Sequence, residues 1–196
     1  QKMRGELGIP SDAFVIGHVG RFHSQKNHKF IIDIAAEVVK QEPKMRLLLV
    51  GEGDLVPDIK QKVMLKGLSE KVIFAGSRSD VSSLMMGVMD TFLFPSLYEG
   101  LGLVLIEAQA AGLQCILSDT IPEEADVVKQ LMRRMSLSQP AYSWAESILA
   151  TRNTRANVNR KEAFRWIEQS SFNVKNSLES MKNIYAKNLN LYANKI

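Results

Sequence analysis

FPSLYEGLGLVLIEAQAAG, residues 94–112, decides the fold. The apolar run at 90–94 reads as a buried strand. Two glycines, Gly100 and Gly102, follow it in a loop, and an apolar helix then runs to Gly112. Two carboxylates, Glu99 and Glu107, bracket the turn. A strand that empties into a glycine-rich loop opening a helix presents free N–H groups and the positive end of the helix dipole. Glycine lets the backbone come close to a ligand. Such a turn suits an anion. The glutamates repel phosphate, so they fit only a ligand that also carries hydroxyls, as a sugar does.

Working outward, four more runs read as strands: 14–19 (FVIGHV), 46–50 (RLLLV), 71–75 (KVIFA) and 114–118 (QCILS). Each is short and continuously apolar, as strands covered on both faces should be. Helical patterns lie between them. Residues 28–41 carry apolar positions at 30, 31, 34, 35, 38 and 39, and Pro43 stops that helix. Residues 55–65 form the next, ended at Gly67. A short helix at 81–86 is capped by Asp80. Five strands alternating with four helices make an open, parallel, doubly wound α/β sheet, Rossmann-like. Its right-handed connections bring the loops at 20–27, 51–54, 76–80 and 95–102 to one edge. Residues 1–8 end a helix. After Asp119 the pattern changes. Residues 121–128 are irregular and acidic, 131–137 hold a short strand or helix, and helices follow at 141–150, 155–169 and 173–191.

The 196 residues are 45% hydrophobic, enough for a core in one domain of ordinary size. No run approaches the roughly 18 apolar residues of a membrane span, and no signal peptide is visible. The chain begins with Gln1, as expected of a piece of something longer. One cysteine, Cys115, excludes an internal disulfide and reads as a small buried hydrophobe in a reducing, cytoplasmic compartment. The net charge of +4 is uneven. Residues 1–128 carry 13 Lys/Arg against 17 Asp/Glu, a net of −4; residues 129–196 carry 12 against 4, a net of +8. The basic third reads as a solvated helical surface or a contact with an anionic membrane. Without like-charge runs or interleaved aromatics it does not read as a nucleic-acid surface.

Arg21 and Lys26 lie five residues apart in the loop after the first strand and can converge on one anion. A planar fork with a compact charge suits a diphosphate. Taken alone they are two solvated cations; beside the 99–102 loop the binding reading prevails. Glu107, between Ile106 and Ala108, needs a partner or a ligand, and a ribose diol offers two donors. A structural ion pair is the plain alternative. Glu99 accepts from sugar hydroxyls or is an ordinary exposed acid. His18 reads as a satisfied core or crevice-lining residue, His23 and His28 as loop and helix-start residues. No Cys/His cluster has zinc spacing.

GHVGRF…QKNH (17–28), LLLVGEG (47–53), VIFAG (72–76) and the stretch 94–119 together resemble the C-terminal domain of family-four glycosyltransferases of the GT-B fold. The likeness is strongest to members that build bacterial exopolysaccharide or capsule, and covers about residues 1–190. It implies that residues 1–196 form a donor domain binding a UDP-sugar or GDP-sugar, without a cofactor, for retaining transfer of a hexose to an acceptor hydroxyl. It also implies a metal-independent site, with which the lack of any Asp-x-Asp agrees. Arg21 and Lys26 then resemble the diphosphate-binding pair and Glu99 the glutamate on donor-sugar hydroxyls, these three being the expected catalytic residues. Gly100, Leu101, Gly102 and Leu103 resemble the turn whose amides meet sugar and phosphate, and Glu107 the ribose ligand. Gly20, Gly51 and Gly53 complete the expected donor loops, and 76–78, with Gly76 and Arg78, stands beside the base. The helix from residue 173 resembles the one that crosses back to an N-terminal acceptor domain. That domain is absent here, so the fragment alone is expected to be inactive. A lipid-linked acceptor would place the enzyme in the cytoplasm, peripheral at the inner membrane face. Gln114 stands where the family has Pro, and the stretch after Ile121 departs from the family's Gly-rich, Pro-Glu pattern.

Two other classes compete. A dinucleotide-binding dehydrogenase would want Gly-x-Gly-x-x-Gly after the first strand, where this chain reads GHVGRFHSQ (17–25). A non-catalytic doubly wound module would dock to membrane or protein through its basic C-terminal third.

Overall fold

Six parallel strands lie side by side in the order β3-β2-β1-β4-β5-β6. They are β1 (Val15–Val19), β2 (Arg46–Val50), β3 (Val72–Gly76), β4 (Thr91–Phe94), β5 (Gln114–Ser118) and β6 (Met132–Met135). The computed structural model describes residues 2–153 and 158–193. The helices are α1 (Lys2–Glu6), α2 (His28–Gln41), α3 (Val56–Leu65), α4 (Val81–Gly87), α5 (Leu103–Ala110), α6 (Ala141–Asn153), α7 (Arg160–Gln169) and α8 (Val174–Ala193). The doubly wound α/β expectation holds, with one strand added.

That addition corrects the five-strand reading. β6 (MRRM) pairs in register with β5, Cys115 opposite Met132 through Ser118 opposite Met135. Its two arginines hide it in an apolar scan, because an edge strand can spend alternate positions on solvent. Arg134 is held there by Asp126 at 2.8 Å. The helix expected at 155–169 starts at Arg160, where Asn159 and Glu162 form a reciprocal capping box; residues 154–157 lie outside the described residues. Asp80 precedes α4 as expected, but its side chain makes no cap hydrogen bond.

The strands bury both faces. Ile16, Leu47, Leu49, Leu93 and Ile116 pack with α2, α3 and Trp144 of α6. Val15, Leu48, Phe92, Phe94, Cys115 and Leu117 pack with α4 and α5 on the other side. Because β1 lies between β2 and β4, the chain leaves β1 toward one layer and β4 toward the other. The loops after these two strands lead toward opposite layers, and a crevice opens beside them at the C-terminal edge.

Candidate functional site

Two adjoining cavities occupy that crevice. The first, about 560 Å³, lies among Gly20, Arg21, Gly51, Glu52, Gly53, Ser77 and Arg78. The second, about 500 Å³, lies among Arg21, Lys26, Glu99, Leu101, Gly102, Leu103 and Glu107. They share Val19, Gly20, Arg21 and Val81. All four loops predicted for this edge contribute. Val19, Val81, Val104, Glu52 and Ser77 also line the space and were missed; the three valines carry no chemical signal, only their places at a strand end or helix start.

Two glycines let the loops meet. Gly51 has φ 139°, and a Cβ there would stand 2.2 Å from the Gly20 carbonyl oxygen. Gly53 has φ 153°, with the Phe22 carbonyl oxygen 2.5 Å from its Cβ position. No side chain fits at either place. Gly76 does not line a cavity; its carbonyl accepts the Gly51 N–H at 2.8 Å and holds that loop from behind. Gly100 is outside both linings as well. Arg78 faces the first cavity with a fork on Asp80, Nε at 2.8 Å and Nη2 at 2.7 Å. That guanidinium holds the Asp80 carboxyl below its ordinary range.

The second cavity is bounded by two loops pinned together. The Leu97 N–H donates to the Gln25 carbonyl at 2.8 Å, the Gln25 amide to the Tyr98 carbonyl at 2.9 Å, and the Asn27 amide to the Pro95 carbonyl at 3.2 Å. Across this seam Lys26 Nζ meets Glu99 Oε1 at 2.7 Å, with the two side chains 17% and 8% exposed. The ammonium also stands 4.9 Å from the Phe94 ring centre. Lys26 and Glu99 are thus joined across the seam. Arg21 is exposed, and among the described residues its guanidinium makes no hydrogen bond or ion pair. Glu107 is exposed on α5, between buried Ile106 and Ala108, and its carboxylate likewise has no partner. Its apolar neighbours face inward while the helix phase turns Glu107 outward into the cavity, so the carboxylate does not need the partner expected from those neighbours. α5 begins at Gly102 with φ 78° and no side-chain cap, so the first-turn amides remain for a ligand.

Beneath the crevice floor lie His18 and His28, 0% and 1% exposed. His18 Nδ1 is 2.9 Å from the Leu93 carbonyl, which only accepts, so Nδ1 carries the proton. Among the described residues its Nε2 and both ring nitrogens of His28 have no partner, so of the two expectations, satisfied core or crevice-lining, His18 is a buried core residue satisfied at one nitrogen only. The rings meet edge to face at 4.8 Å, and His28 stacks on Phe22 at 4.0 Å. Burial pushes His18 down to about 3 and His28 to about 4, with nearby Lys26 adding to both. Both are neutral at pH 7. Cys115 is fully buried, and burial pushes its thiol up. Among the described residues no group of His, Cys, Asp or Glu could hold a metal ion, and no helix is long and apolar enough to cross a membrane.

Fold and crevice define a class: a Rossmann-like α/β domain of the GT-B glycosyltransferase kind. HepE of Anabaena (Alr3699), solved in complex with UDP, superposes with a TM-score of 0.80 at 22% identity, over 94% of this chain and 52% of that one. The same protein with UDP-glucose gives 0.77. The chain belongs to the glycosyl transferases group 1, whose family model matches residues 1–164. EpsF of Bacillus subtilis (strain 168), named a glycosyltransferase, is 38% identical over 179 residues, 91% of this chain and 46% of EpsF. The UDP-Gal:alpha-D-GlcNAc-diphosphoundecaprenol alpha-1,3-galactosyltransferase of Escherichia coli is 33% identical over 116 residues, 58% of this chain and 30% of that protein. The chain thus spans less than half the length of these two relatives.

Proposed function

We propose that the chain is the donor half of a retaining hexosyltransferase, holding a nucleoside-diphosphate sugar while its hexose passes to an acceptor hydroxyl during exopolysaccharide or glycoconjugate synthesis. The observation that carries this reading is one crevice offering an unpaired Arg21, Lys26, an uncapped helix start and two carboxylates side by side. Cations and amides suit a diphosphate; carboxylates suit hydroxyls. Cavities of about 560 and 500 Å³ are of the size that ligand sites occupy.

The nucleoside lies toward the first cavity, against Gly51, Gly53 and Arg78, with Glu107 on the ribose diol. Arg21, Lys26 and the amides at Leu103 and Val104 take the diphosphate and stabilise the charge that grows as it departs. These cations do the work of a divalent ion. Glu99 accepts from donor-sugar hydroxyls. The UDP complexes of HepE and the UDP-Gal donor in the galactosyltransferase's name make UDP the first nucleotide to try. The acceptor belongs to a second domain. Val174, Leu178, Met181, Ile184 and Tyr185 of α8 are exposed, a stripe such a domain would cover. The net +8 of residues 129–196 suits a cytoplasmic enzyme working against an anionic inner membrane face.

Titration calorimetry of the 196-residue chain with UDP, GDP, ADP and their sugars tests the reading. At least one diphosphate binds, without turnover, and Lys26→Ala weakens diphosphate binding while sparing the free nucleoside. No binding of any nucleoside diphosphate by the folded chain overturns it.

A further inference from the structure

The Lys26–Glu99 pair crosses the seam from one loop to the other at the edge of the second cavity. Lys26 Cδ lies 3.2 Å from the Cβ position of Gly20, and Glu99 Cγ lies 3.9 Å from that of Gly102. Each side chain is thereby laid along a wall of the second cavity, and the 2.7 Å contact closes between them. The pair is nearly out of water, and a little-exposed ion pair that loses one partner leaves an uncompensated charge.

The two groups want opposite things from a ligand. A diphosphate presents only acceptor oxygens. It can draw Lys26 away, but it then leaves Glu99 unpaired beside a polyanion. A sugar's hydroxyls can donate to Glu99, but they give Lys26 no counter-charge. Only a ligand with the diphosphate and the sugar in one molecule serves both groups at once. Arg21 and Glu107 impose no such condition, because neither is paired among the described residues.

We infer that the Lys26–Glu99 pair makes this crevice selective for an intact nucleoside-diphosphate sugar over the nucleoside diphosphate alone. The inference rests on the donor-site reading above and adds a discrimination to it. Glu99 acts as a specificity residue in both directions. It favours the substrate through the hexose, and it disfavours the product by competing for Lys26 once the hexose has gone. The same pair that admits the donor therefore helps to expel the spent nucleotide. Coupling of this kind, between two parts of one ligand through two joined residues, commonly amounts to about 5- to 150-fold in affinity.

Calorimetry with four probes tests it: inorganic pyrophosphate, UDP, UDP-glucose and UDP-galactose, each against the wild-type chain, Glu99→Gln and Glu99→Ala. The wild type binds one of the two UDP-hexoses at least about fivefold more tightly than UDP. Both variants gain at least about fivefold for UDP and for pyrophosphate, and both lose the preference for the hexose. Melting curves confirm that each variant is folded; Gln keeps the shape of the side chain, and Ala removes it. If the wild type binds UDP and the folded variants bind it no better, the inference falls and the donor-site reading stands. If the wild type binds none of the four probes, nor GDP or GDP-mannose run as a control, both fall together.

Discussion

At the edge where the strands begin, Arg4 donates to both oxygens of Asp90 at 3.0 and 2.9 Å, to the Val88 carbonyl at 2.7 Å and to the Ala13 carbonyl at 2.9 Å. Asp90 in turn accepts the Val15 N–H at 2.7 Å. Arg152 pairs with the largely buried Glu42, and Lys44 with Asp12. At the edge where the strands end, Arg78 is paired with Asp80 and Lys26 with Glu99, whereas among the described residues the charged groups of Arg21 and Glu107 have no partner. One edge uses its charges to tie helix, loop and strand together. The other pairs two of its cations at the cavities and leaves Arg21 and Glu107 facing them without a partner among the described residues. The contrast separates charge tied into the frame from charge that lines a cavity within one sheet, and it can be broken experimentally from either side.

The largest effect expected is at Gly53. Gly53→Ala puts a methyl 2.5 Å from the Phe22 carbonyl oxygen at φ 153°. The backbone must shift, at a cost of about 3 kcal/mol in urea denaturation. A stability loss under about 1 kcal/mol would show that the ligand-facing edge is not built on that close approach. Next comes Arg4→Ala. It removes charged hydrogen bonds from a guanidinium 14% exposed, and about 2 kcal/mol of stability with them, while nucleotide affinity stays unchanged. A loss of affinity there would merge the two edges and end the comparison.

The smallest effect is one of pH. His18 and His28 are depressed to about 3 and about 4, from an unfolded value of 6.5. The folded state therefore binds fewer protons than the unfolded one between those values. The stability of the neutral pair is whole above pH 6.5 and is lost as pH falls toward 4. Going from pH 7.5 to 5.5 costs on the order of 1 kcal/mol for each histidine. Denaturation of His28→Gln at the two pH values should show that loss reduced by about this amount. An unchanged pH dependence would mean that His28 is not held neutral beneath the crevice.

Much of this arrangement is legible in the residues. Continuous apolar runs mark β1 to β5, because strands covered on both faces have no polar side to confuse the signal. β6 reads only as a short strand or helix because its middle residues, Arg133 and Arg134, are spent on solvent and on Asp126. The site's members, Arg21, Lys26, Glu99 and Glu107, stand out as charges in glycine-punctuated loops at strand ends or one turn into the next helix. Their pairing does not. Lys26 and Glu99 are 73 residues apart, and only the pinned loops bring them together. The phase of α5 could have placed Glu107: Leu105, Ile106, Ala108 and Gln109 face inward and leave position 107 outside. The burial of His28 depends on a ring stack with Phe22 across a tight turn, which no periodicity announces.

The claim that charges at the strand-ending edge serve a nucleoside diphosphate is tested most directly by one paired measurement. UDP affinity and melting temperature are read for Arg21→Ala and Arg4→Ala beside the wild type. Arg21→Ala is expected to weaken UDP by about 10- to 100-fold with its melting temperature unchanged. Arg4→Ala is expected to melt earlier and bind UDP as the wild type does. Equal UDP affinity in Arg21→Ala and the wild type would contradict the assignment of this crevice.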